Sequence, residues 1–160
     1  MEGLKARRGD LSGPVLAILV TLILLAIGAV IIAYFTLLAG PAPTPVLVVK
    51  DQPLAYKGTG TPPDAKVDVI VANIGTAQVT LNSGTTTLEI LGPFTAGPQA
   101  LGGSNPTIYP GESKTLTFTF NGAWDNFNDY RSASARLVLK DTAGNTIGQF
   151  EVSIRIIGGG

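Results

Sequence analysis

The 160-residue sequence contains no cysteine and no histidine. The first absence excludes a disulfide scaffold, a thiolate metal centre and a thiol nucleophile. The second excludes a Ser-His-Asp triad and an imidazole metal site. Charge is also scarce, with Asp, Glu, Lys and Arg making up 14% of the chain against roughly 25% in an ordinary soluble domain. The 11 basic and 11 acidic residues cancel and form no basic patch, so nucleic acid is not an expected partner. Catalysis would have to run on carboxylates, Lys, Tyr or Ser alone. Neither an enzyme nor a cofactor or metal is therefore expected. No Asn-x-Ser/Thr sequon occurs, and N-glycosylation is not expected.

The charges that are present are placed unevenly. Residues 1–10 hold Glu2, Lys5, Arg7, Arg8 and Asp10, and the next charge is Lys50. Between them, residues 15–35 (VLAILVTLILLAIGAVIIAYF) carry only Thr21 and the Tyr34 hydroxyl as polar side-chain groups. The run exceeds the roughly 18–20 apolar residues that a bilayer crossing needs. A helix from Ser12 to Ala39 would be about 42 Å long at 1.5 Å per residue. Lys5, Arg7 and Arg8 place the N-terminal end in the cytoplasm by the positive-inside rule. Asp10 or Ser12 suits the cap, and Pro14 suits a first turn where no N–H needs a partner. Gly40 is the expected C-cap. The helix also carries small residues, Gly13 with Ala17 and Ala29 with Ala33 at i, i+4, and Ala26 and Gly28 nearby. Such spacing lets helix backbones approach closely in an apolar setting.

An apolar stretch of about 25 residues is too long for a secretory h-region, usually 7–15 residues. The leader instead ends Lys5-Ala6-Arg7-Arg8-Gly9, followed by Asp10-Leu11 and the apolar run without a gap. In this order and spacing the chain resembles the archaeal type IV pilin and archaellin superfamily. The resemblance implies a class III signal peptide over 1–9, cut between Gly9 and Asp10 by a membrane-embedded prepilin peptidase. It departs from the bacterial pattern at the fifth mature position, where Pro14 stands in place of Glu, so subunit register must come from packing. Loss of Glu2, Lys5, Arg7 and Arg8 would leave 8 basic against 10 acidic residues, a net charge of −2.

After the helix, residues 41–45 form a Pro-rich connector with Pro41, Pro43 and Pro45, which favours polyproline II and blocks further helix. From Val46 the hydrophobic period changes from helical to two. Lys66–Asn73 puts Val67, Val69 and Val71 on one face, and Lys114–Phe120 puts Leu116, Phe118 and Phe120 opposite three threonines. Val79 with Leu81, Leu88 with Ile90, Ala135–Leu139 and Phe150–Ile156 repeat the alternation. With Val46–Lys50 this predicts about seven strands over 46–160. Turns are expected at Gly75-Thr76, Ser83-Gly84, Pro110-Gly111 and Asp141–Asn145, with a bulge near Gly148. The predicted fold class is α+β, a long hydrophobic helix followed by an antiparallel immunoglobulin-like sandwich. IYPGESKTLTF and VDVIVANIGTAQVTL resemble strand motifs of Ig-like surface modules and archaeal pilin heads.

The head offers little chemistry. Asp125, Asn126, Asn128 and Asp129 fail the EF-hand spacing and read as a solvated loop. Trp124, Phe127, Tyr130 and Tyr109 read as core or subunit-contact aromatics in preference to a sugar platform. Gly58-Thr59-Gly60 has no phosphate-loop context. The resemblance implies a structural subunit of an adhesion pilus at the cell surface. Its partners would be the membrane before assembly, copies of itself in a homopolymer, the prepilin peptidase and the assembly ATPase with its platform. O-glycans on outward threonines would fit an archaeal filament. The alternative is a monomeric membrane-anchored binding module, with a minor pilin or pseudopilin between the two.

Overall fold

A computed structural model describes residues 13–40 and 42–158. The chain divides into two compact units, the second beginning at Pro43. The first contains one helix, α1 (Gly13–Leu38). Its Leu, Ile, Val and Ala side chains leave the backbone no competing polar partner, so every interior N–H and C=O bonds along the helix. Pro14 sits in the first turn, as its missing N–H requires. The helix closes with Ala39 N–H donating to Phe35 C=O at 2.9 Å, and Gly40 follows at φ +63°, a left-handed turn that suits glycine. It is long and apolar enough to cross a membrane.

Among the described residues the second unit is a β structure of ten strands with one short helix. The strands are β1 (Leu47–Val49), β2 (Leu54–Lys57), β3 (Ala65–Asn73), β4 (Val79–Thr80), β5 (Thr87–Gly92) and β6 (Ala96–Ala100). β7 (Thr107–Ile108), β8 (Ser113–Phe120), β9 (Ser132–Lys140) and β10 (Thr146–Ile156) follow, with α2 (Trp124–Asn128) between β8 and β9. Eight strands form one sheet in the order β1-β3-β2-β10-β9-β5-β6, with β8 on the other edge of β3. β4 and β7 make a separate pair.

The alternation that predicted the strands is what closes the core. Val67, Val69 and Val71 of β3 face inward beside Leu116 and Phe118 of β8, all at most 2% exposed. Leu88 and Ile90 of β5, Ala135, Leu137 and Leu139 of β9 and Ile154 of β10 join the same hydrophobic cluster. The halves β1-β3-β8 and β10-β9-β5-β6 thus bury one shared interior, and β2 links them along the sheet.

Three details differ from the sequence expectation. There are ten strands where about seven were predicted. β6 (AGPQA) contains Gly97 and Pro98 and owes its pairing to β5, not to strand propensity. β7 has two residues, too few to register as a period, and β2 (LAYK) also lies outside the predicted strands. Finally, the pairing is not wholly antiparallel, because Leu54-Ala55 run parallel to Arg155-Ile156. The β9–β10 register does shift between Thr146 and Gly148, the site of the expected bulge.

The point where the chain enters this unit is closely bonded. Asn73 is fully buried, and its Oδ1 accepts from Val46 N–H at 3.3 Å and Gly75 N–H at 3.0 Å. Its Nδ2 donates to the carbonyls of Ala77 at 2.7 Å and Ile108 at 3.1 Å. Thr44 N–H donates to Thr76 Oγ1 at 3.2 Å, and Thr76 N–H returns a bond to Thr44 C=O at 3.0 Å. Gly75 lies so close to this segment that a methyl group there would press on Thr44 C=O and Val46 N–H, and stand 2.8 Å from the Pro45 carbonyl carbon. A side chain therefore has no room. Gly75→Ala should lower the thermal midpoint of the full chain in detergent and open residues 42–46 to proteolysis. Gly97→Ala, where a methyl would meet nothing within 4 Å, should leave both unchanged.

The Asp141–Asn145 hairpin is held by one carboxylate. Asp141 Oδ1 accepts from Ala143 N–H at 2.9 Å and Asn145 N–H at 2.8 Å, and Oδ2 accepts from the Asn145 amide at 3.0 Å. The Asn145 side-chain bond, then its backbone bond, hold the Asp141 pKa below its ordinary value. The fold thus favours the charged form. That contribution is complete above the unfolded Asp value of about 4, and is lost as pH falls through the lowered pKa. Asn145→Ala should raise the Asp141 pKa toward that ordinary value in an NMR titration of the carboxyl carbon. The wild-type loop should stay intact from pH 7 to about 5.

Candidate assembly surface

The surface that the chain leaves most conspicuously unpartnered is α1. None of its residues is buried, and its large apolar side chains are 46% to 86% exposed. No acidic residue stands in its first turn and no basic residue in its last. Two of its hydroxyls are satisfied within the helix, Thr21 Oγ1 donating to Ala17 C=O at 2.8 Å and Thr36 Oγ1 to Ile32 C=O at 2.6 Å. Such back-bonding lets threonine sit in an apolar medium without an orphaned donor. Thr36 had not been singled out in the sequence. The signal was available, since a carbonyl always lies four residues earlier in a helix.

At about 100° per residue, the six small residues fall on two sides of α1. Gly13, Ala17 and Gly28 share one side with Thr21, and Ala26, Ala29 and Ala33 share the other. Gly28 floors a shallow notch flanked by Thr21, Leu24, Leu25 and Ile32, with Ala29 at the border of the two sides. Ala26 floors a second, beside Ile27, Val30 and Ile31. Glycine inside a helix costs about 1 kcal/mol against alanine. A methyl at Gly28 would meet nothing within 4 Å in the chain itself. Among the described residues of the helix unit nothing requires a glycine there, whereas the close approach of another helix would favour one.

The processing pair Gly9 and Asp10 and the basic leader residues Lys5, Arg7 and Arg8 lie outside the described residues. So do Asp10 and Ser12 as cap candidates.

On the head, the acidic segment after β8 is not the loop expected from sequence. It forms α2, because Trp124 and Phe127 at i, i+3 both turn into the core. Asp125, Asn126 and Asn128 are left on its exposed side. Among the described residues no group of three or more Asp and Glu side chains could hold a metal ion. The four aromatics divide. Trp124 and Phe127 are core. Tyr130 is 37% exposed and stacks on Phe94 with ring centres 5.5 Å apart. Tyr109 is 56% exposed. An open groove of about 490 Å³ is lined by Val48, Val49, Asp51, Pro53, Phe150, Glu151 and Val152, from β1, the segment after it and β10. The outer faces of β3 and β8 carry Asp68, whose Oδ1 accepts from Thr117 Oγ1 at 2.6 Å. The Tyr56 hydroxyl is pushed up in pKa by partial burial and by Asp68. The Arg136–Glu89 pair, at 3.7 Å and well exposed, contributes little stability.

Compared with known proteins, the chain matches no family profile, and no curated protein is similar to it.

Gly28 separates membrane insertion from helix association. Gly28→Leu should leave the protein in the membrane fraction at wild-type level. It should also sharply reduce the yield of higher-order species in chemical cross-linking of intact membranes. Gly28→Ala should be close to neutral.

Proposed function

We propose that the chain is a structural subunit of an archaeal type IV adhesion pilus. In this reading it is held in the cytoplasmic membrane by α1, cut between Gly9 and Asp10, and polymerised through α1 with the β unit outward. The observation that carries the reading is α1 itself. It has no charge, no buried residue and a notch at Gly28 where a methyl would meet nothing within 4 Å among the described residues, and it follows a leader that resembles the prepilin type.

The physical mechanism is an exchange of one apolar environment for another. Lipid tails are as apolar as leucine, so moving α1 from a bilayer into a bundle of identical helices forfeits little hydrophobic free energy. Dispersion contacts at the small-residue notches then favour the bundle. A Lys at Leu24 or Leu25 would cost a few kcal/mol in either environment. Adhesion would be a property of the polymer surface and not of one pocket.

A membrane-anchored binding module is the second reading, favoured by the open β1–β10 groove. Mass spectrometry of protein sheared from the cell surface separates the two. A pilus subunit should begin at Asp10 and sediment as filaments. An uncut chain beginning at Met1, present only in membranes, would refute it.

A further inference from the structure

The chain contains a single Asn-Gly pair, Asn121-Gly122, in the turn between β8 and α2. Asparagine modifies itself most readily before glycine, which has no side chain to hinder approach to its own backbone nitrogen. The reaction needs only water. The Gly122 nitrogen gives up its proton and attacks Asn121 Cγ. A C–N bond forms, the bond from Cγ to the side-chain nitrogen breaks, and that nitrogen leaves with the proton as ammonia. Water then opens the cyclic imide at either carbonyl, leaving aspartate or isoaspartate at position 121. Asn121 and Gly122 are both exposed, so water has access. Ala123 N–H donates to Phe120 C=O at 3.3 Å and Gly122 lies at φ +63°, which puts the pair at the two central positions of a tight turn.

The attacking nitrogen is engaged elsewhere. Gly122 N–H donates to Asp64 Oδ1 at 2.9 Å. Asp64 is half-buried in the loop that leads into β3. The same loop holds the turn at a second point, where Trp124 N–H donates to Pro63 C=O at 3.1 Å. A carboxylate that accepts from an N–H opposes loss of that proton, since deprotonation would set two negative charges side by side. Gly60 completes the arrangement. A methyl group there would stand 2.9 Å from Asp64 Cγ and from both carboxylate oxygens, so a side chain at position 60 would push the carboxylate away.

We propose that Asn121-Gly122 is a latent self-modification site and that Asp64, seated against Gly60, holds it unreactive. Release would strike a structural point. Isoaspartate adds a methylene to the main chain and a negative charge near Asp64, just before the chain enters α2 and sets Trp124 in the core.

The test follows deamidation of the full chain in detergent, kept in warm, mildly alkaline buffer, by peptide mass spectrometry that separates the aspartate and isoaspartate forms. Asn82-Ser83 is the internal gauge, because Ser83 N–H is held by a different acceptor, Asn105 Oδ1 at 2.9 Å. Folded wild-type protein should keep Asn121, and denatured wild-type chain should convert it. Asp64→Ala removes the acceptor and Gly60→Ala displaces it. Each should speed conversion of Asn121 in folded protein about fivefold, the size that loss of one solvent-accessible hydrogen bond implies, and leave Asn82 at its wild-type rate. Slower conversion in Asp64→Ala would mean that the carboxylate draws the proton away as a base, the reverse of the proposal. Unchanged conversion in Asp64→Ala would make the carboxylate a bystander. Equal acceleration at Asn82 and Asn121 would trace the effect to general loosening of the fold. Any of these three results overturns the inference.

Discussion

The structure turns on a helix that has nowhere to bury itself. A globular protein normally hides an apolar stripe against its own core, and α1 is apolar on every side and exposed on every side. In the proposed reading lipid and then other helices meet that surface, and a helix without charge accepts both. Its threonine hydroxyls return to its own backbone, and its charges are confined to the leader before it. Dual compatibility of this kind requires the absence of polar side chains that would favour one medium over the other.

The β unit is constructed on the opposite rule. Its core is closed by period-two strands from both halves of one sheet, and the side chains of its buried Asn73, Ser83 and Thr86 are all hydrogen-bonded. Asn73 is the clearest case, with both amide atoms used to join β1, the β3–β4 turn and β7. That residue and Gly75 fix the chain from Thr44 onward to the head.

Much of this was legible in the sequence. The uncharged run of residues 15–35 and Gly40 gave the helix and its end, because length, hydropathy and a left-handed glycine leave few alternatives. The alternation in β3, β8, β9 and β10 was equally plain, since each strand has one face buried and one open. What stayed hidden depends on partners distant in sequence. β6 is a strand only because β5 lies beside it. α2 hides behind the polar letters of WDNFNDY, where two aromatics at i, i+3 outweigh the asparagines. The Gly75 contact was visible only as a turn, since nothing in the local sequence says that Thr44 and Val46 pack on it. The small residues of α1 were identifiable one by one. The two-sided distribution, and the lack of any internal reason for Gly28, needed the helix in three dimensions.

The central claim is that α1 lies among copies of itself once the protein leaves the membrane. A nitroxide at Ala33→Cys, in detergent-free material sheared from the cell surface, reports this through its continuous-wave spectrum. Neighbouring helices about 8–10 Å away should broaden the spectrum strongly, and dilution with unlabelled protein before assembly should sharpen it. A narrow line insensitive to dilution would mean that the helices stand alone, and would contradict the account.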